Sequence, residues 1–297
     1  MKEIRANLLH IGHAMWDKPA GPLECEDAEW RFLTDRMAEK GYNMVLVDLG
    51  EGVRYESHPE ITAPGAWSKA KLSAELARLR GMGLEPIPKL NFSTAHDIWL
   101  GEYHRMVSTP EYYRVCGDLI REVSELFGKP RFFHIGYDEE DVWDHIGHSY
   151  MALRQGELWW HDLLWFVKTV ENAGMRPWMW SDYIWEHRDD FLKRMPRSVL
   201  QSNWYYDDLF DAHAFRWPRI ANYIDLDRHG FDQVPTSSNH LNDVNTARTV
   251  AFCRANLTPS RLKGFMQTAW RTVTAANRKR NLAAIDQLAA TWSKCKV

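Results

Sequence analysis

The feature that most restricts how this chain can fold is an alternation of short β-rich runs with amphipathic helical runs, repeated eight times. Strands are expected at Asn7–Ile11, Asn43–Asp48, Glu85–Leu90, Phe132–Gly136, Pro177–Trp180, Val199–Ser202, Gln233–Ser237 and Gly264–Ala269. Helices are expected over Glu26–Lys40, Ser68–Arg80, Pro110–Phe127, Gly156–Ala173, Asp189–Met195, Trp217–Arg228, Val244–Asn256 and Ala276–Lys294. Leu72, Leu76, Leu79 and Met82 share one helical stripe, as do Leu119, Val123 and Leu126. Strands separated by helices pair in parallel. Eight such units in 297 residues favour an α/β fold closed into a (β/α)8 TIM barrel, a single domain over residues 1–297. No GxGxxG follows the first strand, which argues against a dinucleotide-binding open sheet.

A barrel of this type builds its chemistry at the C-terminal strand ends. The richest stretch there is His134-Ile135-Gly136-Tyr137-Asp138-Glu139-Glu140-Asp141. Four consecutive acids at a strand end repel one another unless they are used. A carboxylic acid crowded by carboxylates holds its proton more tightly, as a general acid requires. Glycoside cleavage needs such a donor, together with negative charge near an oxocarbenium-like centre. Asp138 and Glu139 are therefore the candidate catalytic pair. Two sequence neighbours are poorly placed to face each other across a bond, so they suit a mechanism in which the substrate supplies its own nucleophile. Glu140 and Asp141 are expected to cap the next helix. The other strand ends contribute candidate substrate-binding residues: Asn91, His96, Trp180, Asp182, Trp204, His240, Asn242, Gln267, Trp270 and Arg271. The chain has fifteen tryptophans; more than half are expected in the core, and those at strand ends offer flat apolar faces for a sugar.

The net charge is -3 with no basic stripe, so a nucleic-acid partner is not expected. Cys25, Cys116, Cys253 and Cys295 form no CxxC pair. No run of 18 apolar residues exists and the first residues lack a signal-peptide core, so a cytoplasmic protein with reduced thiols and no membrane partner is expected. The spacing of His134, His145 and His148 around the acids matches no standard metal site, and neither metal nor cofactor is expected. Trp159, Trp160 and Trp165 read as packing residues or an oligomer face, which leaves a homodimer open.

In order along nearly the whole chain, these motifs resemble glycoside hydrolase family 20, the β-N-acetylhexosaminidases. The family's fourth strand ends in His-x-Gly-Gly-Asp-Glu, here His134 to Glu139. Its third strand is similar to Gly83–Pro88, its second-strand region to Asn43, Arg54, Pro59 and Glu60. Its Trp-x-Asp resembles Trp180-Ser181-Asp182, its sixth-strand Trp resembles Trp204, and its Gly-x-Gln-x-x-x-Trp resembles Gly264 to Trp270. The resemblance implies a carbohydrate substrate, with Glu139 as general acid/base and Asp138 orienting the 2-acetamido group whose carbonyl oxygen attacks the anomeric carbon. It implies that Trp180, Trp204 and Trp270 line the sugar pocket, with Arg5 a loose counterpart of a first-strand Arg that binds sugar hydroxyls. The departures are Tyr137 for the second Gly, Lys89 and Asn91 for acids, His240-Leu241-Asn242 for a Tyr-x-Asp that helps hold the acetamide, and Arg271-Thr272 where a Glu follows the eighth-strand Trp. Lys89 and Arg271 raise the alternative of an anionic sugar cleaved without acetamide assistance. A non-catalytic sugar-binding barrel and a metal-dependent isomerase or aldolase are the rivals from other classes.

Overall fold

In the computed structural model, residues 2–15, 18, 20–211 and 217–293 are described. Cys295 and the expected helix end at Lys294 lie outside them.

Among the described residues, eight parallel strands alternate with eight α-helices. The strands are β1 (Ile4–His10), β2 (Met44–Asp48), β3 (Glu85–Lys89), β4 (Phe132–His134), β5 (Arg176–Trp180), β6 (Leu200–Ser202), β7 (Thr236–Ser238) and β8 (Gly264–Thr268). The helices are α1 (Asp27–Glu39), α2 (Lys69–Gly81), α3 (Pro110–Leu126), α4 (Glu157–Asn172), α5 (Arg188–Arg194), α6 (Trp217–Arg228), α7 (Asn245–Asn256) and α8 (Arg278–Ser293). The sheet runs β6-β5-β4-β3-β2-β1-β8-β7. Parallel bridges Gln201–Gln233 and Trp204–Thr236 join its two ends, so the sheet closes into a (β/α)8 barrel. The seventh strand begins later than expected because Pro235 has no N–H to give the ladder.

Alternation along each strand sorts the side chains. Ile4, Ala6, Leu8, Met44, Leu46, Ile87, Phe132, Trp178, Leu200 and Met266 fill the barrel interior. The outward set packs under the helices, where α3 buries Tyr112, Val115, Cys116, Leu119, Ile120 and Val123 along one stripe. Thr109 caps α3 by accepting from the Tyr112 N–H at 3.3 Å, and Pro110 takes the first turn, where its missing N–H costs nothing. Cys25, Cys116 and Cys253 are buried free thiols. Among the described residues, no helix is long and apolar enough to cross a membrane.

One interior layer is polar. His10, Asp48, Lys89 and His134 lie in register across β1 to β4. Lys89 donates to Asp48 Oδ2 at 2.8 Å, and His10 Nδ1 lies 3.0 Å from the same oxygen. Burial works against the Asp48 charge, but Lys89 and His10 outweigh it and hold the carboxyl well below its ordinary range. Burial and the neighbouring Lys89 keep His134 neutral. This layer is the floor on which the rim stands.

Candidate active site

The end of β4 is where the backbone does something unusual. Gly136, Tyr137 and Glu139 all have positive φ, at 70°, 73° and 56°. Each non-glycine residue held there costs on the order of 1–2 kcal/mol. Gly136 is required: a Cβ there would sit 1.9 Å from Asn91 Oδ1. Strict alternation would send Asp138 and Glu139 to opposite faces. The left-handed turn instead brings both to the wall of one cup. The side chain of Tyr137 is thrown backwards into the helical layer, 5.3 Å from Trp159 and beneath the Arg154 guanidinium at 4.5 Å.

The cup has a volume of about 180 Å³ and is lined by Met15, Asn91, His96, Asp138, Glu139, Trp204, Tyr206, His240 and Trp270. Asn91 positions Asp138: its Nδ2 donates to Asp138 Oδ1 at 2.9 Å, while its Oδ1 accepts from the Tyr137 N–H at 3.2 Å. The Ser93 hydroxyl donates to the Asp138 carbonyl. His96 Nε2 lies 2.9 Å from Glu139 Oε2 and 3.6 Å from Asp138 Oδ2. Burial alone would strip the His96 proton, but Asp138 and Glu139 outweigh it and raise the pKa to about 9. Burial pushes the Asp138 carboxyl up, with the His96 charge opposing. The Glu139 N–H donates to Asp182 Oδ2 at 2.8 Å, and the Trp204 indole donates to Asp182 Oδ1 at 3.2 Å. Asp182 thus ties the turn to the indole wall, and burial together with Asp138 raises its own pKa.

The indole wall is a connected set. Trp204 stacks on Tyr206 at 4.9 Å and meets Trp185 edge-on at 4.4 Å. The Trp270 indole donates to the Tyr206 hydroxyl at 3.2 Å. Trp180, 1% exposed, supports Trp270 from below at 5.9 Å. Tyr206 is the residue that sequence reasoning passed over. The signal was present: in Trp204-Tyr205-Tyr206, extended backbone puts residues 204 and 206 on one side. Tyr205 is buried and packs on Phe210 at 5.1 Å.

Several expected site residues lie elsewhere. Gln267 faces α7 from behind the sheet, where Thr246 donates to its Oε1 at 2.9 Å and the Ser237 hydroxyl to the same oxygen. Its neighbour Met266 points into the barrel, so Gln267 cannot. Asn242 works on the backbone: Oδ1 accepts from the Asn245 N–H at 2.8 Å at the start of α7, and Nδ2 donates to the Tyr206 carbonyl at 2.8 Å. Arg271 donates to the Trp270 carbonyl at 2.8 Å and touches His240 Nδ1 at 3.5 Å, outside the cup lining. Arg5 is excluded from the site, because it packs on Trp292 at 5.0 Å towards the opposite end of the barrel. Lys89 brings no free positive charge to the site, since Asp48 takes it.

The expected helix caps are also corrected. The next helix, α4, starts only at Glu157. Glu140 instead accepts from Arg154 at 2.7 and 3.1 Å and from the Thr94 N–H at 2.8 Å. Asp141 Oδ1 accepts from the Trp143 and Asp144 N–H groups at 2.7 and 3.0 Å, within a loop turn. Trp143 stands 79% exposed on that loop. Among the described residues, no three His, Cys, Asp or Glu side chains converge as metal ligands.

The architecture that carries this cup matches known enzymes. The N-acetyl-β-hexosaminidase of Streptomyces plicatus superposes on 96% of this chain with a TM-score of 0.67 at 15% identity. The chain has the fold of the family 20 β-N-acetylhexosaminidases. The family 20 enzyme of Streptomyces coelicolor A3(2) gives the same coverage and TM-score at 14% identity, and the exo-β-N-acetylglucosaminidase of Vibrio harveyi covers 99% at 0.66 and 13%. The chain spans 63%, 64% and 57% of the lengths of these three hexosaminidases. No protein-family model and no curated protein matches it in sequence, so the likeness to the hexosaminidases is one of fold at strongly diverged sequence.

Proposed function

We propose that this chain is a glycoside hydrolase that removes a terminal β-linked N-acetylhexosamine, with Glu139 as general acid/base and Asp138 steering the 2-acetamido group. The observation that carries the reading is the left-handed turn after β4, which turns two neighbouring carboxylates to one aromatic cup under a shared imidazole. The Vibrio harveyi neighbour is described in complex with N-acetylglucosamine, which supports that class of sugar.

In this scheme Glu139 gives a proton to the leaving oxygen while the acetamide carbonyl oxygen attacks the anomeric carbon and the glycosidic bond breaks. Asp138 accepts the acetamide N–H and balances the positive charge of the cyclic intermediate. Water then gives its proton to Glu139 and its oxygen to the anomeric carbon, which reopens the ring. His96, with its pKa near 9, keeps the His96–Glu139 couple supplied with a proton at neutral pH. Tyr206 stands beside Trp204 and Trp270 and supplies a hydroxyl where the seventh strand lacks its tyrosine. An anionic sugar fits less well, because Asp48 neutralises Lys89 and the cup presents carboxylates.

The test is release of the aryl group from an aryl β-N-acetylglucosaminide or galactosaminide. Turnover is expected, with loss on Glu139→Gln. Full activity in Glu139→Gln, or a covalent sugar trapped on another acid, would overturn the assignment.

A further inference from the structure

A second cavity of about 310 Å³ opens beside the cup and shares Glu139, Trp204 and Tyr206 with it. Its size suits one small polar ligand. Two independent features describe what it would hold. One wall is aromatic: Trp204, stacked on Tyr206 at 4.9 Å, meets Trp185 edge-on at 4.4 Å, and rings of this kind offer a sugar an apolar surface. The rest of the lining is acidic, with Asp141, Asp144, Glu186 and Asp207 joining Glu139 and Glu140, while Asp182 is held towards its neutral form by burial. Arg154 neutralises Glu140, but the remaining acids have one arginine among them in the lining, Arg219. That guanidinium lies 3.7 Å over the Trp185 ring, so the same wall already accommodates one cation by its π-face. Burial first, and then the nearby Glu139 and Asp141, push the Asp144 carboxyl up to about 7, so at neutral pH it carries only part of a charge. A divalent metal is not the matching cation, because no metal-holding group of ligands exists among the described residues.

Resting on the hydrolase reading above, we propose that this cleft holds the leaving group and selects one that is positively charged, a sugar with a free ammonium group such as glucosamine. Glu139 stands between the two cavities, where a proton donor to the bridging oxygen belongs. The cup takes the neutral N-acetylated sugar and the acidic cleft takes the amino sugar.

The experiment compares two disaccharides with the same N-acetylglucosamine donor, one linked to glucosamine and one to N-acetylglucosamine. An aryl N-acetylglucosaminide serves as control. At low salt, kcat/KM is expected to be on the order of tenfold higher for the glucosamine acceptor. The preference should collapse in 0.5 M salt, about a 4 Å screening length. The preference should also shrink in Glu186→Gln and Asp207→Asn. Equal kcat/KM on both disaccharides, with the aryl substrate cleaved, overturns the cleft assignment and leaves the hydrolase reading standing. Failure to cleave the aryl substrate sinks the hydrolase reading instead. In that case calorimetric titration with glucosamine and N-acetylglucosamine decides the cleft: salt-sensitive preference for glucosamine supports it, and equal binding overturns it.

Discussion

Glu139 and Glu140 are adjacent in sequence and lie on opposite sides of the same wall. Glu139 keeps a quarter of its side chain exposed and meets His96 at 2.9 Å on the cup side. Glu140 points behind the wall, its side chain 1% exposed, and is clamped by the fully buried Arg154, which also reaches Asp162 at 3.6 Å and donates to the Phe92 carbonyl. On the proposed reading the front carboxylate exchanges a proton. The rear one is arranged never to do so, because a buried ion pair stripped of one member leaves an uncompensated charge. The rear lock holds the loop after β4 against the loop after β3, through Thr94, and so keeps the front pair in place. Identical chemistry one residue apart is thus divided by backbone direction into a carboxylate that faces the cup and one that anchors the wall.

The comparison can be broken most sharply at its centre. Glu139→Gln is expected to lower kcat by about 10²–10⁴-fold, with only a small fall in the denaturation midpoint because Asp138 remains beside His96, measured on an aryl glycoside and in urea. Glu140→Gln should do the reverse, costing about 3 kcal/mol in chemical denaturation because the buried Arg154 keeps only the more distant Asp162, at 3.6 Å. If the two variants behave alike, the division between front and rear fails. A smaller effect is expected at Tyr206→Phe: about tenfold in kcat/KM, near the value of one hydrogen bond, with about 1 kcal/mol of stability lost because the Trp270 N–H loses its acceptor.

The pH dependence sharpens the front of the wall. The folded pKa of His96 is raised from 6.5 to about 9. Its stabilising contribution is therefore fully present below about 6.5 and is lost as pH rises through about 9. Thermal unfolding followed from pH 6 to 10 should show that loss in the native protein, and His96→Asn should flatten it. The smallest effect is expected at Arg271→Ala, less than about twofold in kcat/KM on a neutral sugar, because Arg271 lies at the rim and bonds a backbone carbonyl.

What could be read from residues follows the range of the forces involved. Strand and helix positions came out within a few residues because the 2.0 and 3.6 periods are local. The rim position of Asp138 and Glu139 followed from the barrel pattern. Gln267 was misplaced because motif spacing does not give the inward or outward parity of β8, which depends on how Met266 registers with Ala6. Asn242 was misplaced because asparagine near a helix start serves a cap as readily as a ligand. The role of Glu140 was hidden because its partner Arg154 is 14 residues away across a loop.

The sequence by itself determined the eightfold alternation, the closed barrel it favours and the strand end that carries the acids, because each rests on local periodicity or on adjacency. Tertiary structure alone decided which carboxylate faces the cup, that Lys89 is spent on Asp48, and that Tyr206 joins the aromatic wall. Those outcomes depend on a left-handed turn and on contacts between strands and loops distant in the chain, which exist only once the barrel has closed.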